Sequence, residues 1–325
     1  MTTTTDRPQD PMAAVEDLAR MIAGEDEQRF VLVYHAFANQ VDGFLTGDGA
    51  ESYRLARSLL RRGVSPLTRS AVGAGAQAPT DSIYTDPVYL ANMRAVVADR
   101  ARIIGGVPTS DFPDCVAVGS ANGWCCSGTL VSPNVVVTAG HCVEGGCAAR
   151  VFTGKDVNFP QDGEVIGVRT ALAHPDYLPP RPTGDIAVLV LERPTSLPPR
   201  PLATRDQLAD AAFVRLAGYG NTDVHGTTGY GRRRMVDVPI ASDDPRYGAD
   251  ADTEFVAGAP FLDRDSCNGD SGGPAYVSSD DQWFLAGATS RATASSLRPC
   301  GDGGIYTRVA SYEEWLWSVP GAMRP

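Results

Sequence analysis

Two textures of apolar and polar residues divide the 325-residue chain. Over the first hundred residues the apolar positions fall three and four apart, the period of an amphipathic helix. Met12, Val15, Leu18, Ala19 and Ile22 predict a helix over Met12 to Ala23, and Phe30, Val33, Tyr34, Phe37, Val41 and Phe44 predict a second over Glu27 to Leu45. Tyr53, Leu55, Ala56, Leu59 and Leu60 carry a third over Glu51 to Arg62, with Arg57, Arg61 and Arg62 near its end and Gly63 just past it. Those charges suit the negative end of the helix dipole, and the glycine stops the helix. Residues 1–11 are rich in Thr, Asp and Pro and read as disordered. Residues 12–63 then form a small helical bundle, marginal unless it packs on something larger. Residues 64–102 supply a Gly/Ala/Ser/Pro-rich linker to about Asp81, then one more helix over Pro87 to Arg100 and an activation segment.

Beyond Ile103 the texture changes to short β-rich runs, punctuated by Gly, Pro and Asp every eight to twelve residues. Cys115–Val118, Gly128–Val131, Val135–Thr138, Val165–Arg169, Ile186–Leu191, Phe213–Ala217, Trp283–Ala288 and Gly304–Arg308 are the clearest. That spacing predicts an all-β barrel or sandwich over residues 103–325. No internal repeat is present.

Candidate chemistry centres on Asp265-Ser266-Cys267-Asn268-Gly269-Asp270-Ser271-Gly272-Gly273-Pro274. A serine hydroxyl needs a base beside it and backbone N–H groups free to hold a developing oxyanion. Three glycines in five residues allow a backbone tight enough for the N–H groups of Gly269 and Ser271 to face one point. A Gly-rich turn around one serine is a common loop, so the other two members decide the matter. His141 follows the apolar run Val135-Val136-Val137 and precedes Cys142, a setting that suits a general base. His35, His174 and His225 have no such setting; His35 reads as a helix packing residue and His174-Pro175 as a surface turn. Asp185 opens the run Ile186 to Leu191 and is placed to take the second imidazole N–H.

Thr138-Ala139-Gly140-His141-Cys142, Asp185-Ile186-Ala187-Val188-Leu189 and Cys267 to Pro274, in that order, together with Ile103-Ile104-Gly105-Gly106 directly after Arg102, resemble the chymotrypsin/trypsin family of serine endopeptidases. Gly218-Tyr219-Gly220-Asn221-Thr222, Ala173-His174-Pro175-Asp176-Tyr177 and the ending Ile305-Tyr306-Thr307-Arg308-Val309…Trp315-Leu316 are further matches. The resemblance covers residues 103–325 and implies two six-stranded antiparallel barrels with the active site in the crevice between them. It also implies a closing helix over Ser311 to Ser318, with Trp315 and Leu316 packed inward. His141, Asp185 and Ser271 then form the catalytic triad, and Ser290 hydrogen-bonds Asp185. Cleavage behind Arg102 frees the Ile103 ammonium to pair with Asp270 and set the oxyanion loop, so the intact chain is a zymogen. Asp265 lies at the base of the primary specificity pocket, with Ser290, Ala292 and Gly304 also lining it, and selects Arg or Lys. The chain departs from the family at Gly140, where alanine is usual, a change not expected to disturb His141. It also departs at Arg291-Ala292, where an aromatic and a glycine are usual, and in a long Thr293 to Pro299 segment. Arg291 is thereby placed to pair with Asp265 or to shield it.

The net charge of −11, about −9 of it beyond Ile103, excludes a basic nucleic-acid-binding face. No apolar run approaches the length of a bilayer span. Lys155 is the only lysine against 27 arginines, which points to GC-rich coding and a bacterial source. Of seven cysteines, the resemblance implies disulfides Cys126–Cys142 and Cys267–Cys300. Cys115, Cys125 and Cys147 cannot all pair within the chain, which leaves one thiol of unsettled position. Disulfides imply an oxidising compartment, whereas Met1 to Phe30 carries neither a basic n-region nor an apolar h-region. The two signals conflict, and the start of the chain tilts the balance slightly to the cytoplasm. Asp156, Asp162 and Glu164 lack the alternation of a calcium loop, and no Cys/His spacing suggests zinc, so neither metal nor cofactor is expected. The expected partner is a protein or peptide substrate. The N-terminal helices serve either to restrain a protease that an activating enzyme (or the protease itself) releases, or as an adaptor docking to a signalling or defence partner.

Overall fold

The computed structural model describes residues 106–177, 183–222, 226–241, 247–258, 264–294, 296 and 298–325, together with Arg20, Val88 and Asn92. Arg20, Val88 and Asn92 have helical backbone, within two of the segments whose apolar spacing predicts helices. The rest of the N-terminal bundle, the linker, Arg102 and Ile103 lie outside the described residues, as do His35 and His225.

Thirteen strands among the described residues build two sheets. The first uses β2 (Cys115–Gly119), β3 (Trp124–Ser132), β4 (Val135–Thr138), β5 (Arg150–Phe152), β6 (Val165–Ala173) and β7 (Ala187–Leu191), and closes as a barrel in the order β2-β3-β4-β7-β6-β5. A short helix, α1 (Gly140–Glu144), follows β4 directly. The second uses β1 (Val107–Pro108), β8 (Phe213–Gly218), β9 (Arg234–Pro239), β10 (Glu254–Ala257), β11 (Pro274–Ser279), β12 (Gln282–Ala292) and β13 (Gly304–Arg308), in the order β1-β9-β8-β11-β12-β13-β10. Helix α2 (Arg205–Ala209) lies between the sheets in sequence, capped by Thr204 and Gln207 in a reciprocal capping box.

The fold is thus mainly β, and its second half differs in detail from a plain six-stranded barrel. β1, arriving from the activation segment, adds a seventh strand by pairing Val107 with Met235 and Pro108 with Arg234. The opposite closure is thin. β9 ends at Pro239, which has no N–H to donate. Beyond it, among the described residues, only the bridge Ile240↔Ala257, with Ala241 N–H to Val256 O (2.9 Å) and Gly258 N–H to Pro239 O (2.8 Å), brings β9 round to β10.

Alternation along the strands divides the core into three. Val116, Val118, Leu130, Val136, Val151, Ile166 and Leu189 fill the first barrel. Val214, Val238, Phe255, Val277 and Tyr306 fill the second sheet. The residues of the opposite phase, such as Ala117, Val137, Val188, Tyr219 and Tyr276, meet between the two. That shared layer fixes one sheet on the other, which is what allows side chains from both to build one site. The C-terminal stretch is a 3₁₀ turn (Val309–Tyr312) running into α3 (Glu313–Leu316), shorter than the helix expected over Ser311 to Ser318. Leu316 is fully buried and Trp315 packs against the same core.

Candidate active site

The pairing of β4 with β7 runs Val135↔Val190 to Thr138↔Ala187, so the residues just beyond Thr138 and just before Ala187 meet. These are His141, in the first turn of α1, and Asp185. The Asp185 carboxylate is 3% exposed as a residue and holds His141 at two points. Oδ1 accepts from the His141 backbone N–H at 2.9 Å, and Oδ2 lies 2.8 Å from His141 Nδ1. A carboxylate can only accept here, so Nδ1 carries the proton and Nε2 is left as the acceptor. The second sheet supplies the rest. Ser290 Oγ on β12 donates to Asp185 Oδ2 at 2.6 Å, and Thr307 Oγ1 on β13 donates to the Asp185 carbonyl at 2.8 Å.

Ser271 sits in a turn pinned to both sheets. Its carbonyl accepts from Ser127 N–H on β3 (2.8 Å), Gly272 N–H donates to Thr289 O on β12 (2.8 Å), and Thr289 N–H donates to Gly273 O (2.9 Å). Gly272 has φ +74° and lies so close to Thr138 and Ala139 that a Cβ has no room. The Ser271 carbonyl oxygen is also 3.6 Å from Cys142 Sγ, beside His141. Ser271 Oγ and His141 make no direct hydrogen bond among the described residues. The peptides flanking the turn are fixed: Asn221 N–H donates to Asn268 O (2.9 Å) and Ser127 Oγ to Gly269 O (2.9 Å). With Asn268 O held on one side, Gly269 N–H points to the other, and Gly269 (φ +98°) adopts a conformation that favours glycine. Neither Gly269 N–H nor Ser271 N–H has an acceptor among the described residues. A hydroxyl, an oriented imidazole and two free N–H donors are the parts needed for acyl transfer.

Asp270 turns away from the hydroxyl into the protein, where its carboxylate accepts from Gly220 N–H (2.7 Å) and Cys267 N–H (2.9 Å). Burial pushes its pKa up to about 6, with those two bonds lowering it. Gly218 and Gly220 lie against the carboxylate closely enough to exclude any Cβ. A cavity of about 100 Å³ beside it is lined by Gly106, Gly218, Gly220, Asp265 and Asp270. Gly106 is fastened there, its carbonyl accepting from Arg234 Nη1 at 3.0 Å, three residues after Ile103.

Asp265 also lines this cavity. Its Oδ1 accepts from Ser266 N–H (2.7 Å) and from the Tyr306 hydroxyl (2.8 Å). Burial raises its pKa to about 7 against the lowering effect of those bonds. Gly304 faces the carboxylate, since a Cβ there falls 2.9 Å from Tyr306 Oη and 3.1 Å from Asp265 Oδ1. Ala292 is exposed and pairs with Gly304 across β12 and β13. The expectation that Arg291 pairs with or shields Asp265 is corrected by the structure. Its guanidinium goes to Glu254, Nη1 to Oε1 at 2.6 Å and Nη2 to Oε2 at 2.8 Å, because that fully buried carboxylate offers a two-point match.

Other expectations are resolved or revised. Cys126–Cys142 and Cys267–Cys300 are disulfides, Cys125–Cys147 is a third, and Cys115 is the free, buried thiol. The sulfurs of Cys126 and Cys142 lie near His141, but as a disulfide they offer no thiolate to a metal. His174 opens the expected surface turn, its carbonyl accepting from Tyr177 N–H at 2.9 Å, but its ring packs edge-on against Tyr312 and Trp315, 4.8 and 4.6 Å between centroids, and burial lowers its pKa. Gly140 makes room for the Tyr177 ring, which a Cβ approaches to 2.9 Å. Ser127, Tyr306, Thr307 and Glu254 are parts of the site that sequence reasoning assigned no role. Tyr306 and Thr307 stand in the matching C-terminal stretch, and Ser127 directly follows Cys126, so those three carried a signal; Glu254 carried none.

Residues 103–316 match the family model described as Trypsin. A trypsin of Saccharopolyspora erythraea is 36% identical over 225 residues, spanning 66% of this chain and 96% of that protein. A venom protease of Bombus pensylvanicus is 30% identical over 236 residues, spanning 65% of this chain and 96% of that protein.

Proposed function

The chain belongs to the trypsin family and is a serine endopeptidase, and from that premise we propose that it cuts peptide bonds after Arg or Lys and is made as a zymogen activated at Arg102-Ile103. The observation that supports the specificity is Asp265, six residues before Ser271, its carboxylate held by Tyr306 and Ser266 and faced by Gly304. A carboxylate there meets a cationic side chain with a charge-assisted bond and leaves a neutral one unrewarded.

In the mechanism, Ser271 Oγ attacks the scissile carbonyl carbon while its proton passes to His141 Nε2. The oxyanion forms against the N–H groups of Gly269 and Ser271. Asp185 keeps the imidazole in the tautomer that leaves Nε2 free and stabilises the imidazolium. His141 then gives the proton to the leaving amine, the C–N bond breaks, and an ester to Ser271 remains. Water, deprotonated by His141, attacks that ester, and the acid leaves as Ser271 regains its proton.

For activation, the Ile103 ammonium released by cleavage pairs with Asp270. Support comes from a raised carboxyl lying in a cavity that Gly106, three residues further on, also lines. An ion pair there offsets the desolvation of Asp270 and rigidifies the Gly269–Ser271 turn. The N-terminal segment acts as a restraint held on the protease. Asn92 Nδ2 donates to Ile240 O at 2.9 Å, on the seam that closes the second sheet, which favours this over an adaptor facing outward.

The test is hydrolysis of matched Arg, Lys and Phe peptide esters by the intact chain and by the chain cut at Arg102, with Ser271→Ala as control. Arg and Lys esters turned over only after the cut, and by wild type alone, is the expected result. Equal activity before and after the cut refutes the activation step, and preference for the Phe ester refutes the pocket.

A further inference from the structure

We propose that Arg291, clamped by Glu254, is a positioning residue for Asp185 that acts through Ser290, an extension of the triad reading on which it rests. β12 and β13 slip register at this point: Thr289 pairs with Tyr306 and Arg291 with Ile305, so Ser290 is the extra residue of a bulge. Successive side chains of a regular strand leave on opposite faces; the bulge re-aims one of them. Arg291 Nη1 thereby reaches Ser290 Oγ at 3.2 Å, while Ser290 Oγ is 2.6 Å from Asp185 Oδ2.

The directions of these bonds are forced. A guanidinium only donates, so the Ser290 oxygen accepts from it, and the single Ser290 hydrogen is sent to Asp185. The chain of donors runs Arg291 to Ser290 to Asp185, and His141 Nδ1–H meets it from the other side. Bonds aligned in one direction polarise one another, most strongly out of water. The start of the chain is rigid. Glu254 is fully buried and takes both terminal nitrogens of Arg291, and its Oε2 is itself fixed by Asp250 N–H at 2.8 Å. Arg291 Nη2 also donates to Gly248 O at 2.8 Å. A surface arginine serving only solubility does not need this many fixed partners. Here they deliver one guanidinium hydrogen to the residue that orients the Asp185 carboxylate.

A double-mutant cycle tests the assignment in the full chain in its active form. The paired variant Arg291→Met/Glu254→Gln removes the donor without leaving a buried carboxylate unpaired, and is combined with Ser290→Ala. The expected result is a loss of about tenfold in kcat with KM within about twofold, for the pair and for Ser290→Ala alike, and no further loss when all are combined. Losses that multiply, or a change confined to KM, overturn the proposal. Should the paired variant not fold, Arg291→Lys carries the same cycle: an ammonium keeps the charge beside Glu254 but cannot hold both carboxylate oxygens and still reach Ser290. Labelling by a sulfonyl fluoride separates this from the underlying reading. Wild type that labels at Ser271 while the cycle is multiplicative refutes only the role of Arg291; wild type that does not label, with Ser271→Ala still active, refutes the triad itself.

Discussion

Ser127, on a strand of the first barrel, and Gly269, in the turn that leads into the second sheet, lie 142 positions apart, yet the Ser127 hydroxyl donates to the Gly269 carbonyl at 2.9 Å. The same hydroxyl accepts from Tyr219 N–H at 3.2 Å, and the Ser127 N–H donates to the Ser271 carbonyl at 2.8 Å. One residue of the first barrel therefore holds the turn on both sides of Asp270. Thr138 Oγ1 closes the arrangement by donating to the Ser127 carbonyl at 2.7 Å, so the strand end that leads into His141 is tied to the same point.

Ser127→Ala removes one donor and one acceptor from this junction and leaves the Tyr219 N–H unpaired in a fully buried position. An orphaned buried group costs about 1–3 kcal/mol, and thermal unfolding should register that loss. The larger expected effect is on kcat, down about tenfold with KM little changed, because the N–H groups of Gly269 and Ser271 act mainly on the charge of the transition state. Steady-state ester hydrolysis checks it.

Much of this was legible in the chain. Val135–Thr138 and Gly304–Arg308 have as strands the bounds that their apolar runs predict, and the motifs carrying His141 and Asp185 meet at 2.8 Å. What was not legible depends on contacts between distant strands. Arg234–Pro239 and Glu254–Ala257 are short and partly polar, so neither announces a strand, and the bulge at Ser290 follows from register that no local pattern encodes. The disulfides show the same limit. Cys125 and Cys126 are neighbours on one strand and so point to opposite faces, the first exposed and the second buried, which sends them to different partners at Cys147 and Cys142. Without knowing which face turns inward, the odd cysteine is not identifiable.

Asp114 should be a stability residue whose loss leaves the chemistry intact. It is fully buried, takes Arg200 at 2.6 and 3.1 Å, and accepts from the Tyr276 hydroxyl at 2.5 Å. Arg200 lies over the rings of Phe112 and Tyr276 as well, so one carboxylate anchors the connection between the two sheets. Asp114→Ala leaves the arginine and the phenol without their acceptor, an expected loss of about 3–5 kcal/mol in denaturant unfolding. The protein that remains folded should keep its kcat per active site, as counted by serine-probe titration.

Cys115 predicts a thiol count. Three disulfides leave one sulfhydryl, fully buried, and burial holds its pKa well above that of an ordinary thiol. A protonated, inaccessible sulfur reacts slowly with alkylating agents. Native protein should take up almost no iodoacetamide at pH 8. The same protein unfolded without reductant should take up one equivalent, located at Cys115 by peptide mapping. Three equivalents would mean that one of the three disulfides does not form.

On the proposed specificity, the Asp265 carboxyl, with a pKa of about 7, should make substrate preference depend on pH in a definite direction. Above pH 7 the free enzyme would then carry a charged pocket floor and should favour an Arg ester over a neutral one of similar size. As the pH falls through 7 the floor becomes neutral, and the ratio of the two kcat/KM values should drop by up to about tenfold per unit. Asp265→Asn keeps an oxygen acceptor for Tyr306 and Ser266 but no charge, so its ratio should be low and flat across pH 5 to 9. Stability runs the other way. A carboxyl whose folded pKa lies above its unfolded value of 3.8 binds its proton more tightly in the folded state. Its contribution is fully present below about pH 4 and is lost as the pH rises through 7. Asp265→Asn should therefore raise the unfolding temperature at pH 8 and change it little at pH 4. A ratio that stays high at pH 5 in wild type would place recognition of the cationic side chain on some group other than Asp265.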